Sequence, residues 1–342
     1  MLTGQRKIAR SQHEYARSGL FPDARRRVMN AVREFLLANP LLQTGLDIIS
    51  VVIPLAALLA FAGMGFMSGT ARILSFTRRR SSYDKCARQL ALLGLVLGWL
   101  LLIGGRVWIF FTQADHAPDS LPGFLVEMSW ILLSLAVLLS SLYYTLWNIL
   151  RNMPVLHMTL GMLSGVQGCV TVLATLAAAR FLAAFAHPEA ATMTIAEIFP
   201  ATWSAPLWSA LCYTPPLLLA MPAGFGALWL LLRRQQDDFG RDHYNTMIPW
   251  CAGWARNAWC LLWLLLLISG GLQIWLHWQG GVFSPQDAIV ESTRLLLWLI
   301  PVLLWTMVRR SAIALRHKLT LLAALLISLG FMLPYYLEAT NI

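Results

Sequence analysis

The chain has 342 residues, 58% of them hydrophobic and 12% charged, and a net charge of +10. Its mean hydropathy is +0.63. Soluble domains carry about 25% charged residues, so the composition excludes a soluble globular protein, and with it a disordered chain or a coiled coil. Five cysteines without a CxxC pair exclude a disulfide scaffold. The positive charge is read as loop orientation, not as affinity for nucleic acid.

Residues 1–46 form a basic tail with eight Lys or Arg and no apolar core that would make a cleavable signal peptide. Within it, Val28, Met29, Val32, Phe35 and Leu36 recur at helical spacing. Arg25, Arg26, Arg27, Arg33 and Glu34 take the other face. This pattern predicts an interfacial amphipathic helix over 24–38.

Spanning the hydrocarbon takes roughly 20 apolar residues as helix. Eight stretches qualify: 47–71, 90–112, 122–149, 156–184, 206–232, 250–276, 288–308 and 319–337. They lack period-two alternation, so helices are predicted, not barrel strands. The fold class is therefore all-α: a polytopic transmembrane protein of about eight helices. Residues 47–185 and 206–342 are predicted to form two four-helix bundles, joined by an outer connection at 186–205 that contains Pro188 and Pro200.

Charge between the spans alternates. The first link holds Arg72, Arg78, Arg79, Arg80, Lys85 and Arg88, the third Arg151, the fifth Arg233, Arg234 and Arg241, and the seventh Arg309, Arg310, Arg316 and Lys318. Even links hold no basic residue but carry Asp115, Asp119, Glu189, Glu197 and Asp287. The positive-inside rule puts the odd links in the cytoplasm and both termini outside, in the periplasm of a bacterial inner membrane. The basic tail opposes that orientation, and the four-link asymmetry outweighs it.

Charges inside spans are costly and mark candidate sites. Arg106 and Glu127 each lie about six residues from the outer ends of neighbouring antiparallel spans, roughly 9 Å deep. They are expected to pair, with Glu127 as proton acceptor and Arg106 as its partner. Arg180, Glu291 and Arg294 fall toward the same side and Arg256 toward the inner side, which predicts a polar pocket opening outward. Of the seven histidines, none sits at mid-span. His116, His187 and His277 fall at outer edges and His157, His243 and His317 at inner edges, so no haem is expected within the chain.

Gly94-x-x-x-Gly98 and Gly161-x-x-x-Gly165 predict close helix packing. Pro215, Pro216 and Pro222 predict a kinked fifth span, and Trp250, Trp254, Trp259 and Trp263 form an aromatic stripe. Motifs for nucleotide phosphate, zinc hydrolysis, a serine nucleophile or covalent haem are absent.

The order of several features resembles subunit I of the cytochrome bd quinol oxidases over roughly residues 25–275. The shared features are Ile53-Pro54-Leu55, Tyr83-Asp84-Lys85, the entry Pro122-Gly123-Phe124-Leu125-Val126-Glu127, Trp147, His157 and Met193-Thr194-Ile195-Ala196-Glu197. The resemblance implies two four-helix bundles, quinol chemistry near the outer face and a proton-transfer role for Glu127. The haem-ligand histidines that it would require are replaced: Ile49 stands at one place, and Trp208–Leu211 offers none at the other. Leu135 stands at the place of the second acid, and a short link around Gln279–Gln286 replaces the quinol loop. The expected function is a haem-free, quinone-interacting membrane subunit of a bacterial respiratory electron-transfer complex, at most a non-catalytic or quinone-site subunit of an oxidoreductase. Its expected partners are the lipid bilayer and redox subunits: a multihaem cytochrome c, an iron–sulfur protein or a second membrane subunit. Alternatives are a haem-free quinone-binding anchor of the iron–sulfur and molybdoenzyme type, a small-solute transporter, or a structural anchor.

Overall fold

The computed structural model describes residues 39–112, 121–185, 194–200, 202, 205–280 and 284–340. The interfacial helix expected over 24–38 lies outside the described residues, as do Asp115, His116, Asp119, His187, Pro188 and Glu189. The described residues are all-α. Long helices run over α1 Pro40–Arg78, α2 Ser81–Thr112, α3 Leu121–Thr145, α4 Pro154–Phe185, α5 Pro206–Asp237, α6 Arg241–Gln279 and α7 Pro285–Arg310, followed by α8 Lys318–Gly330 and α9 Met332–Thr340. The last two together make one apolar span, so eight helical segments are long and apolar enough to cross a membrane. The chain is a polytopic membrane protein.

The helices outrun their apolar windows. Both α1 and α6 have 39 residues, about 58 Å at 1.5 Å per residue and nearly twice the thickness of a hydrocarbon core. Hydropathy registers only the part that lipid covers. Residues assigned above to the first link, including Arg72, Asp84, Lys85 and Arg88, are therefore helical, and the link itself is Arg79 and Arg80.

Two helices are central. In the apolar windows of α1 and α5, 61% of residues are buried, against 22% to 39% in the other spans. Glycine makes this possible. A Cβ on Gly65 would meet Gly165 N at 2.5 Å and Gly161 O at 2.6 Å, and one on Gly168 would lie 2.6 Å from Ala62 Cα. The Gly161-x-x-x-Gly165 spacing thus brings the α1 and α4 backbones into contact. On α2, Gly94 and Gly98 leave room for side chains instead: Met64 and Ser140 at the first, Phe61 and Val137 at the second.

On the other flank, α5 runs as unbroken helix through Pro215, Pro216 and Pro222. Pro222 has no N–H, so the Leu218 carbonyl lacks its i+4 amide donor. That carbonyl lies against Gly63 of α1, where any Cβ would collide with it. At the end of the chain, Pro334 removes the donor for the Gly330 carbonyl, and the helix breaks between α8 and α9 at Phe331.

One buried core runs from Val52 on α1 through α5 and α6 to Ala339 on α9. The two sets of four spans therefore share a core. Trp259 of the aromatic stripe is fully buried there, packed on Trp298 and Phe331.

Candidate functional site

Polar side chains gather at the two ends of the helices. One end is formed by the odd links with their basic residues, here called the basic end; the other is the far end.

At the far end, Arg106 of α2 donates from Nη2 to Glu127 Oε2 of α3 at 3.4 Å. The Arg106 guanidinium also stacks 4.7 Å from the Trp130 ring centroid, in space left by the missing Cβ of Gly105. Both ion-pair side chains are about half exposed, at 51% and 54%. They sit on the flank of the α2–α3 hairpin and not in an enclosed cavity.

The other far-end charges form a separate group. Arg294 of α7 donates from Nη2 to Glu338 Oε1 of α9 at 2.7 Å and lies 3.7 Å from Glu291 Oε1. Ser209 of α5 donates to Glu338 Oε2 at 3.3 Å. Gly270 of α6 leaves the space that Glu291 fills. Arg180 of α4 is almost fully buried. It donates from Nε to the Ile198 carbonyl at 2.5 Å and from Nη1 to the Ala339 carbonyl at 3.2 Å. Its cation thus meets the Ala339 carbonyl in the last turn of α9, where a helix dipole favours positive charge.

Among the described residues, no hydrogen bond or ion pair joins Arg106 and Glu127 to this second group. The single outward-facing pocket expected from the sequence is replaced by an exposed pair on α2 and α3 and a ligated carboxylate on α9. Glu338 went unrecognised in the sequence because it falls just past the last apolar window.

At the basic end, α2 carries two clusters on different faces. On one, Arg72 of α1 pairs with Asp84, and its guanidinium lies 5.7 Å over Trp147. Ser68 donates to the Ala87 carbonyl at 2.7 Å, so it accepts the Tyr143 hydroxyl proton at 2.9 Å. His157, fully buried, stacks on Tyr143 with ring centroids 4.6 Å apart and meets Trp147 edge-on at 4.5 Å. Its Nε2 faces the Tyr143 carbonyl at 3.2 Å and must carry the proton, because a carbonyl only accepts.

On the other face, Gln89 is the node. Its Nε2 donates to Asp237 Oδ2 at 2.6 Å, which fixes the amide orientation and turns Oε1 toward His243 Nε2 at 3.2 Å. His243 is therefore the Nε2–H tautomer. Trp229 Nε1 donates to the Gln89 carbonyl at 3.0 Å. Arg233 grips Asp237 through two bonds of 2.9 and 2.6 Å, one helical turn apart on α5. The Nδ1 atoms of His157 and His243 make no hydrogen bond among the described residues.

The sequence places both histidines at span edges, and so does the structure. It adds that both are buried inside polar and aromatic cages. Gln89 follows Arg88 at the edge of the second apolar run, where a polar residue is ordinary, so the sequence carried no clear signal for the second cage. Arg256, the inner-side exception, bonds only to Asn257 Oδ1 in the interactions described, at 3.1 and 2.5 Å.

Comparison with protein families, with characterised proteins and with solved structures finds no match. No group of three or more His, Cys, Asp or Glu side chains suited to a metal occurs among the described residues.

Proposed function

We propose that this chain is a haem-free integral membrane subunit of a bacterial respiratory electron-transfer complex, in contact with quinone and with a redox partner on the far side of the inner membrane. The observation that carries the reading is the Arg106–Glu127 pair, half exposed on the flank of two apolar helices. A charged pair facing hydrocarbon is costly, whereas one covered by a quinone head group or a second subunit has a reason to be there. In this reading Glu127 accepts the proton that a quinol releases. Arg106 holds the Glu127 carboxylate in place, and Trp130 supplies a flat apolar wall. The basic end faces the cytoplasm and the termini face the periplasm. The redox centres belong to the partners: a multihaem cytochrome c, an iron–sulfur protein or a second membrane subunit.

Purification in mild detergent tests this directly. The expected result is a co-purifying cytochrome or iron–sulfur protein with a quinol-reducible optical spectrum. Glu127→Gln should leave assembly intact and lower quinol-dependent turnover about 100-fold, the low end for a lost general base. A lone stable chain whose melting shifts with added solutes would refute the respiratory reading.

A further inference from the structure

At the basic end, a cavity of about 270 Å³ opens between α2, the last turn of α3 and the last turn of α5. Its walls include Lys85, Arg88, Gln89, Tyr144, Arg233 and Phe239. Residues 85, 88, 89 and 92 stand at i, i+3, i+4 and i+7 on α2, so one helical face supplies half of the lining.

The charge in this cavity is unbalanced. Three cations, Lys85, Arg88 and Arg233, face one carboxylate, Asp237. That carboxylate is already held by both Arg233 bonds and by Gln89. Neither Lys85 nor Arg88 forms an ion pair with a described carboxylate. The Lys85 ammonium instead lies 4.8 Å over the Phe239 ring, which holds it beside the opening. The α2 residues of the lining start beyond the first turn, where a helix dipole has faded, while α5 ends nearby with the end that disfavours an anion. Side-chain charge therefore decides the sign, and it is positive.

Basic pockets between transmembrane helices are matched to phosphate-bearing head groups. The cavity is just below the range for whole small-molecule sites, about 300 Å³ and upward. That suits a head group, with acyl chains left outside along the helices. Tyr144 adds a hydroxyl donor, and Leu92 and Phe239 provide apolar contact for carbon.

We propose that Lys85, Arg88 and Arg233 bind the phosphate of an anionic ligand in this cavity. The phosphate comes either from an anionic phospholipid or from a free phosphate-bearing solute. The site is independent of the respiratory reading and lies at the opposite end of α2 from Arg106.

The test uses the full chain, delipidated in detergent and titrated with phosphatidylglycerol, phosphatidylcholine and inorganic phosphate. Bound lipid is read by native mass spectrometry and phosphate by the shift in melting temperature. Wild type should prefer phosphatidylglycerol to phosphatidylcholine. Each cation near the surface is worth roughly fivefold, so the double variant Lys85→Gln/Arg88→Gln should bind phosphatidylglycerol about 25-fold more weakly, with phosphatidylcholine uptake unchanged. Arg88→Gln alone, at an exposed position, should lose about fivefold. Displacement of the lipid by millimolar inorganic phosphate, with stabilisation of wild type but not of the double variant, identifies a free anion as the occupant. Retention of the lipid identifies a membrane head group. The proposal is overturned if the double variant binds both probes as wild type does. It is also overturned if Arg309→Gln/Arg310→Gln, which removes the same charge from the same end, weakens binding equally.

Discussion

Two polar sites, the Arg106–Glu127 pair at the far end and the Gln89 network at the basic end, keep charge in an apolar protein in different ways. At the far end the Arg106–Glu127 pair joins helices adjacent in sequence, its partners 21 residues apart, and leaves both side chains half exposed. At the basic end the Gln89–Asp237 bond joins residues 148 apart, and the network around it reaches the buried His243 and Trp229. Neighbouring helices joined by a short link can pair charges without a core around them. Partners distant in the chain meet only after the central helices have packed, and they then lose solvent. The first arrangement suits a surface that exchanges protons or partners, and the second suits rigidity.

Substitutions can break this contrast. Gln89→Leu should have the largest effect on stability. It leaves the buried His243 without its acceptor and the partly buried Asp237 with only its two Arg233 bonds, at an expected cost of about 2–3 kcal/mol. Thermal unfolding in detergent measures it, and a loss below about 1 kcal/mol would show that the node is not cooperative. Glu338→Gln should come next, at about 1–2 kcal/mol, because Arg294 keeps only the longer contact to Glu291 and both side chains of the broken pair are partly exposed. Glu127→Gln should cost less than about 1 kcal/mol of stability, since the pair it breaks is long and half exposed. If Glu127→Gln destabilises the chain as much as Gln89→Leu, the two sites do not differ as described.

Much of the fold was legible beforehand. All eight spans were recognised because each is a local run of apolar residues, and the Gly-x-x-x-Gly spacings announced close helix packing without naming the partner helix, which for Gly161-x-x-x-Gly165 is α1. The Arg106–Glu127 pair followed from counting turns in two adjacent spans. The helix ends were not legible: α1 and α6 continue well beyond hydrocarbon length, into residues such as Arg72 of α1, which pairs with Asp84 of α2. Nor could the sequence distinguish His157 and His243 from ordinary boundary histidines. Their burial depends on Tyr143, Trp147 and Gln89, which lie on other helices.

By itself, the sequence determined the membrane class, the number of crossings and the alternation of basic and acidic links. These depend on composition summed over about 20 residues and survive errors of a few positions. The tertiary structure alone decided which polar residues meet. Successive residues on a helix point about 100° apart, so the rotation of each helix decides its lateral contacts: Gly63 against α5 and Gly65 against α4 hold α1, and Gly94 and Gly98 against Met64 and Phe61 hold α2. That rotation turns Gln89 toward Asp237 and His243 and brings Lys85 and Arg88 to the edge of one cavity.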